Sequence, residues 1–157
     1  MTITALGDTV SYDGGLAGSI KLSADLVTMI PAAGSVPGYP TGAVALSAGS
    51  ANVANASGVA TLTGTATTTV YISGFQVTGT GATAGSAATV TVAGLRGGTR
   101  SFTYAFATGA VIANTPLNVR FSPPIPASAV NTPIVVTCPA SGTGGTNNTV
   151  NAQGFYV

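Results

Sequence analysis

Apolar and polar residues alternate along several short stretches of the chain. In 88–92, alanine and valine alternate with threonine, and in 101–106 three aromatic residues alternate with serine, threonine and alanine. A period of two, built from β-branched and aromatic residues, is typical of β-strands with one buried face. Similar stretches predict clear strands at 117–121 and 134–138, and earlier strands at 58–63 and 68–78.

Glycines mark the connections between these stretches. The pair Gly97-Gly98 is typical of a tight hairpin turn, and Gly74 predicts a bulge or bend within 68–78. Short strands separated by Gly, Pro and Asn turns predict an all-β fold, either a β-sandwich or a jelly roll. A single open sheet would expose edges that invite aggregation in so uncharged a chain.

The N-terminal part of the chain follows no such pattern. Residues 23–29 fit a helical turn begun by Ser23 and a strand about equally well, and residues 31–57 are interrupted by prolines. Loops of that length are uncommon inside compact domains, so we expect this part to contact something else, such as another subunit. We therefore expect an irregular N-terminal arm at 1–57, with a contribution of strands from it as the alternative, and a β-sandwich body at 58–157.

The amino-acid composition indicates that the protein is part of an assembly. Hydrophobic residues make up 45% of the chain, but charged residues only 4% and the net charge is +1, whereas charged residues are about 25% of a typical chain. A surface of Thr, Ala, Gly and Asn is easily desolvated, as in the core of a permanent interface. The alternative is a monomer whose surface is solvated by hydroxyls and amides.

The few charges are divided between the two parts of the chain. Asp8, Asp13 and Asp25 lie near the N-terminus beside Lys21. Arg96, Arg100 and Arg120 are the only later charges. These six acidic and arginine residues are our candidates for intersubunit contacts, because opposite charges would guide the arm onto a neighbouring body. Chance separation of so few charges is the alternative.

The residues that most enzymes use are missing. The chain has no His, no Glu and no Trp, which excludes serine triads, cysteine–histidine pairs and most zinc sites. We expect no catalysis and no cofactor. Asp8 and Asp13 could hold Ca²⁺ through carboxylate oxygens, but residues of this kind before glycines more often form turns. The glycine-rich run 78–87 lacks the Lys-Ser/Thr ending of a phosphate-binding loop.

Three further features have ordinary structural interpretations. Arg100 shares a strand face with aromatic residues, as in single-strand binders, but the net charge is too small for a nucleic-acid partner. Cys138 is in phase with Ile134 and Val136, which predicts a buried, inert thiol. Alternate threonines from Thr61 to Thr69 would form a hydroxyl row if extended, and a threonine-rich strand is the simplest explanation.

No signal peptide or membrane span is predicted. Residues 1–20 lack a basic start followed by a continuous apolar core. No apolar run reaches the roughly 18 residues of a transmembrane helix. We expect a protein that is made in the cytoplasm and either stays soluble or joins an assembly there, without a membrane partner.

The strand-rich part of the sequence resembles small virion proteins encoded in the structural gene clusters of tailed bacteriophages. The resemblance lies in a style of alternating strands and turns and does not extend to residues 1–57. The segments that carry it are TVYISGFQVTGTGATAGSAATVTVAGL (69–95), GGTRSFTYAF (97–106), PLNVRF (116–121), PIPASAVNTPIVVTCPA (124–140) and GTNNTVNAQGFYV (145–157).

The resemblance implies a capsid decoration, or cement, protein. Such proteins fold as small β-sandwiches or jelly rolls and bind the outer capsid surface as dimers or trimers, so the expected partners are the major capsid protein and further copies of the chain. They stabilise the shell by bridging capsomers through many weak contacts. The alternative is a phage tail, fibre or host-surface-binding protein, although the scattered tyrosines do not favour a recognition surface.

Overall fold

A computed structural model describes residues 9–11, 19–21, 39–82, 84, 86–106, 108, 115–140 and 147–157. The chain divides into two compact units, residues 1–42 and 43–157. In the first unit, strand β1 (Thr9–Ser11) pairs antiparallel with strand β2 (Ser19–Lys21). Asp8, Asp13 and Asp25, with the ambiguous segment 23–29, lie outside the described residues.

The second unit is a sandwich of two four-stranded antiparallel sheets. The first sheet has the order β3-β10-β5-β8 and the second has the order β4-β9-β6-β7. The strands are β3 (Val44–Gly49), β4 (Gly58–Leu62), β5 (Val70–Thr80), β6 (Ser86–Ala93), β7 (Arg100–Phe106), β8 (Leu117–Pro126), β9 (Ile134–Cys138) and β10 (Asn147–Tyr156).

The pairing of these eight strands is nested. The first strand of the unit pairs with the last, the second with the seventh, the third with the sixth, and the fourth with the fifth. This order is the jelly roll, one of the two architectures that the sequence predicted. The described residues contain no helix, and hence none that is long and apolar enough to cross a membrane.

Alternate residues of each strand meet between the two sheets. The inward positions of β4 and β9 are fully buried, whereas their outward positions are exposed or half-buried. Each buried Val, Leu or Ile contributes about 1.5–3 kcal/mol relative to an exposed side chain. The largest fully buried apolar side chains are Phe106, Leu62, Ile72, Ile134, Val70, Val77, Val90, Val92, Val136 and Val150.

Three phenylalanines pack together between the two sheets, next to edge strands β7 and β8. Phe75 of β5 meets Phe102 of β7 edge-to-face, with ring centroids 5.2 Å apart. The ring centroid of Phe121 in β8 lies 6.2 Å from that of Phe75 and 6.4 Å from that of Phe102. Edge-to-face aromatic pairs add to the free energy of burial, so this cluster joins the two sheets on that side.

The strands that the alternation predicted most clearly are confirmed. Residues 88–92, 101–106, 117–121 and 134–138 all lie within strands. Gly97 and Gly98 have φ angles of 92° and 96° in the turn that joins β6 to β7. The predicted irregularity at Gly74 is a register shift between Ile72 and Gly74, where β5 pairs with β8.

Three features differ from the sequence patterns. The central strand β10 was not predicted as a strand, and β3 forms within a segment, 31–57, whose prolines indicated a loop. The threonine row does not form, because only Thr61 lies in a strand. Residues 65–68 make a turn in which the Thr65 amide donates to Thr68 Oγ1 at 2.8 Å.

Candidate binding surface

The outer face of the first sheet carries a row of amide side chains. Strand register places Asn151 of β10 opposite Gln76 of β5, and Gln76 opposite Asn118 of β8. Paired strands lie about 4.8 Å apart, so the three amides stand side by side across the sheet. Gln76 Nε2 donates a hydrogen bond to Asn118 Oδ1 at 3.0 Å, which orients both groups.

A groove lies on this face beside the row of amides. Gly74 lies opposite both Gln153 and Arg120, and the long polar side chains of these two residues line the groove. The groove has a volume of about 440 Å³. We call it the amide groove, and its polar lining consists of Ser47, Gln76, Asn118, Arg120, Asn151 and Gln153.

A second hollow lies at the edge of the sandwich, where β8 bulges outward. Arg120 pairs with Gly74 and Ile125 pairs with Ile72, so residues 121–124 bow out opposite Ser73. We call the resulting space of about 490 Å³ the arginine hollow. Its lining consists of Arg100, Arg120, Phe121, Ser122, Pro123, Pro124, Ile125 and Pro126.

The fold places the three arginines of the chain along β8. The Arg100 guanidinium carbon lies 6.0 Å from the centroid of the Phe121 ring, and Arg120 belongs to β8 itself. The Arg96 amide donates to the Pro126 carbonyl at 2.9 Å. The sequence has no Asp or Glu after Asp25, so no acidic side chain neutralises these arginines within 39–157.

These arginines were candidates for intersubunit contacts because of their charge, and the structure brings them to one side of the sandwich. All three are exposed. Their predicted partners Asp8, Asp13 and Asp25 are outside the described residues, so that pairing stays a prediction. Arg100 lies in phase with Phe102, as the sequence indicated, and its side chain reaches the surface at the first residue of β7.

The local sequence pattern did not predict the amides Gln76, Asn118, Asn151 and Gln153 as site residues. A signal was present, because polar residues occupy alternate positions from 147 to 153. The inward positions of that stretch include Asn148, which weakens the contrast between the two faces of the strand. The juxtaposition of amides from three strands depends on register, which no local pattern in this chain indicates.

The edges of the sandwich differ from one side to the other. On the side of the arginine hollow, edge strands β7 and β8 carry Arg100, Arg120 and three prolines, Pro123, Pro124 and Pro126. On the opposite side, β3 and β4 contact each other and contain neither a charged residue nor a proline. We call this second side, formed by 44–49 and 58–62, the open edge.

Two of the exposed valines lie on the open edge. Val44 of β3 is 46% exposed and Val59 of β4 is 43% exposed. Neither strand has a second neighbour in its sheet among the described residues, so one row of backbone N–H and C=O groups on each lacks a strand partner. The open edge therefore combines apolar side chains with strand hydrogen-bonding capacity.

One buried polar cluster lies at the end of the sandwich, where β9 and β10 meet the connection between β3 and β4. Asn148 is 2% exposed. Its Nδ2 lies within 3.2–3.3 Å of the carbonyl oxygens of Ala56, Cys138 and Pro139, to which it donates hydrogen bonds. Its Oδ1 has no hydrogen-bond partner. This amide therefore ties three chain segments together, and it accounts for a polar residue at an inward position.

The Cys138 thiol is buried, as its phase with Ile134 and Val136 predicted. Burial raises the pKa of this thiol to about 11, and a hydrogen bond with Asn148 opposes the rise. Thiolate is the nucleophilic form of cysteine. Both its low thiolate content and its burial make Cys138 unsuited to nucleophilic chemistry.

We expect the native protein to resist thiol-specific disulfide reagents at pH 8. With a pKa of about 11, roughly one thiol in a thousand is ionised at that pH. Reaction should become fast only after unfolding in urea. Thr89→Cys, which places an exposed thiol on β6 in a Cys138→Ala background, is the control and should react rapidly without urea. Rapid labelling of native Cys138 would contradict its burial.

The described surface offers hydrogen bonds and positive charge but no acid–base pair. Among the residues that the structure describes, no group of three or more His, Cys, Asp or Glu side chains could hold a metal ion. No family of known proteins, no characterised protein and no solved structure matches the chain significantly. The amide groove, the arginine hollow and the open edge are therefore the basis for assigning a function.

Proposed function

We propose that the chain is a structural protein that associates with further copies of itself through the open edge and decorates the outer capsid of a tailed bacteriophage. The open edge carries this proposal. It offers a second copy two exposed strands, β3 and β4, without charge or proline to prevent pairing. The phage capsid as the site of assembly rests on the sequence resemblance.

The difference between the two sides of the sandwich supports an interface at the open edge. Natural sheet proteins protect their edges with charges, prolines and bulges, because an unprotected edge pairs with other strands. On the β7 and β8 side, this chain has a charge at Arg120, a proline at Pro123 and a bulge where β8 pairs with β5. Their absence from β3 and β4 is the pattern expected of edges that pair in the functional assembly.

The lack of charge supports the same conclusion. Burying a charged side chain without a partner at an interface is costly, and repulsion between like-charged copies opposes association. With a net charge of +1, copies of this chain repel one another weakly. A decoration protein needs only weak individual contacts, because the repeating capsid lattice multiplies them.

We expect lysine at the open edge to prevent self-association. Val44→Lys combined with Val59→Lys should weaken self-association at least about tenfold, because the charged groups would be desolvated on pairing. Sedimentation velocity across a concentration series measures this change. The control is Val130→Lys, which places the same charge on a 54% exposed valine outside the strands and should leave the oligomer unchanged. An oligomer that persists with both substitutions, in folded protein, would exclude the open edge as the interface.

Electron microscopy of phage particles that contain the protein tests the site of assembly. Density of the size of this chain on the outer capsid surface supports decoration. Density at the tail or its fibres would assign the chain to the alternative, a tail or host-surface-binding protein. The exposed amide groove and arginine hollow are the observations that favour this second candidate, because neither is needed for pairing at the open edge.

A further inference from the structure

We propose that the amide groove and the arginine hollow form one binding site for an acidic saccharide, that is, a sugar chain bearing carboxylate groups. Arg120 lines both spaces, so they meet at this residue. One part offers uncharged hydrogen-bonding groups, and the other offers two guanidinium groups beside apolar walls. The arginine hollow lies at the edge opposite the open edge, whereas the amide groove extends to Ser47 of β3 on the outer face of the first sheet. The proposal does not rest on assembly at the open edge, because strand pairing there would use the backbone groups of β3 and β4.

The amide groove matches the hydroxyl groups of a sugar. A side-chain amide both donates and accepts hydrogen bonds, and so does a hydroxyl. The bond between Gln76 and Asn118 uses one donor and one acceptor, which leaves the other groups of both amides directed to a ligand or water. Asn151 and Gln153 add two more amides on the neighbouring strand. An array of this kind suits a ligand rich in hydroxyls.

The arginine hollow matches a carboxylate. A guanidinium group binds a carboxylate through two parallel hydrogen bonds, and such charge-assisted bonds are among the strongest in proteins. Arg100 and Arg120 enter the hollow from the edge strands of opposite sheets. Arg100 is positioned by its contact with the Phe121 ring, which shares the hollow. No acidic side chain of residues 39–157 competes for either group, since the sequence has none there.

Apolar walls complete the hollow. Phe121 and the pair Pro123-Pro124 line it beside the arginines. One face of a sugar ring presents mainly C–H groups, which pack well against aromatic and proline rings. An acidic sugar unit would thus place its carboxylate on the guanidinium groups and its apolar face on these rings, while neighbouring units extend along the amide groove.

Two other occupants fit the surface less well. The N-terminal segment of a second copy, with Asp8, Asp13 and Asp25, offers carboxylates to the arginines, but its apolar residues, such as Ile3, Leu6 and Val10, match the polar lining of the groove poorly. A nucleic acid requires a wider basic surface than two arginines, and it favours exposed aromatic platforms for stacking. The combination of an uncharged polar groove with a short cationic end favours the saccharide.

The test uses the full chain and a short oligogalacturonate, with its carboxyl-reduced counterpart as the matched ligand. Isothermal titration calorimetry at physiological salt should show saturable binding of the oligogalacturonate. Reduction of its carboxylates should weaken binding at least about tenfold, since it removes charge-assisted hydrogen bonds. The double variant Gln76→Ala, Asn118→Ala should weaken the binding of both ligands, because the amides contact hydroxyl groups that the two share.

Arginine variants distinguish the site from general charge attraction. Arg120→Gln and Arg100→Gln should each weaken oligogalacturonate binding at least about tenfold. Arg96→Gln removes an equal charge from an exposed arginine that lines neither space, and we expect a change below about twofold. Equal losses from all three variants, or no saturable binding of the oligogalacturonate, would overturn the proposal. If Arg120→Gln instead changes only the oligomer mass, the occupant is a second copy of the chain.

Discussion

Replacing Asn148 by aspartate is expected to lower the free energy of unfolding by at least about 3 kcal/mol at pH 7, because it buries an unpaired carboxylate. The Asn148 amide donates to three carbonyl oxygens and is 2% exposed. An aspartate would place a negative oxygen where this donor now stands, facing the same carbonyls. Chemical unfolding in urea measures the loss.

The same substitution should make stability depend on pH. Burial would raise the pKa of the new carboxyl group in the folded protein above its value of about 3.9 in the unfolded chain. The unfolded state then releases its proton first, so the destabilisation is smallest below about pH 4 and grows as the pH rises toward the folded pKa.

Asn151→Asp is the matched control for this experiment. Asn151 lies on the same strand, further along from Asn148, but its side chain is exposed on the outer face of the sheet. We expect a change within about 0.5 kcal/mol and little dependence on pH. Equal effects at the two positions would show that the buried amide has no special role.

Replacing Gly154 by alanine is expected to cost about 3 kcal/mol or more, at the upper end of the range for overpacking. A Cβ atom at Gly154 would overlap the carbonyl oxygen of Tyr71 on the neighbouring central strand, and it would lie 3.1 Å from the Cα of Ile72. Both atoms belong to the backbone, so they cannot avoid the new Cβ by a side-chain rotation. The two central strands of the first sheet would have to separate, and urea unfolding would show the loss.

Gly49→Ala is the control for the steric overlap between an added Cβ and the backbone of the neighbouring strand. Gly49 lies in the same sheet, on edge strand β3, and its added Cβ would meet mainly the Asn151 side chain, with Oδ1 at 2.6 Å. That side chain is exposed and can turn toward water, so we expect a change within about 0.5 kcal/mol. A loss at Gly49 as large as at Gly154 would show that glycine flexibility, rather than strand spacing, explains both results.

The strands that sequence analysis predicted share one property. In each, β-branched or aromatic residues face the core at alternate positions, as Val90 and Val92 do in β6 and Ile134 and Val136 do in β9. Their burial against the opposite sheet makes local alternation a reliable guide. The pair Gly97-Gly98 predicted the turn between β6 and β7 equally well, because positive φ angles favour glycine whatever the surroundings.

The strand β10 lacked these local signals although it lies at the centre of its sheet. Its inward residues include the polar Asn148 and the small Ala152. Such residues become suitable for a core only through distant partners: Asn148 donates to the Ala56 carbonyl, and the β10 backbone closely approaches β5 at Gly154. The contacts that stabilise β10 are therefore formed by folding and are absent from the local sequence.

The identity and order of the residues are sufficient to show that this protein consists of strands with alternating apolar and polar positions. They also show that it lacks the side chains for most acid–base and metal chemistry. The places where the few functional groups meet depend on the folded chain. Gln76 and Asn118 are distant in the chain but joined by a hydrogen bond, and Arg100 and Arg120 share one hollow. Strand register and sheet order create these neighbours, since they depend on the burial of the whole core rather than on any local segment.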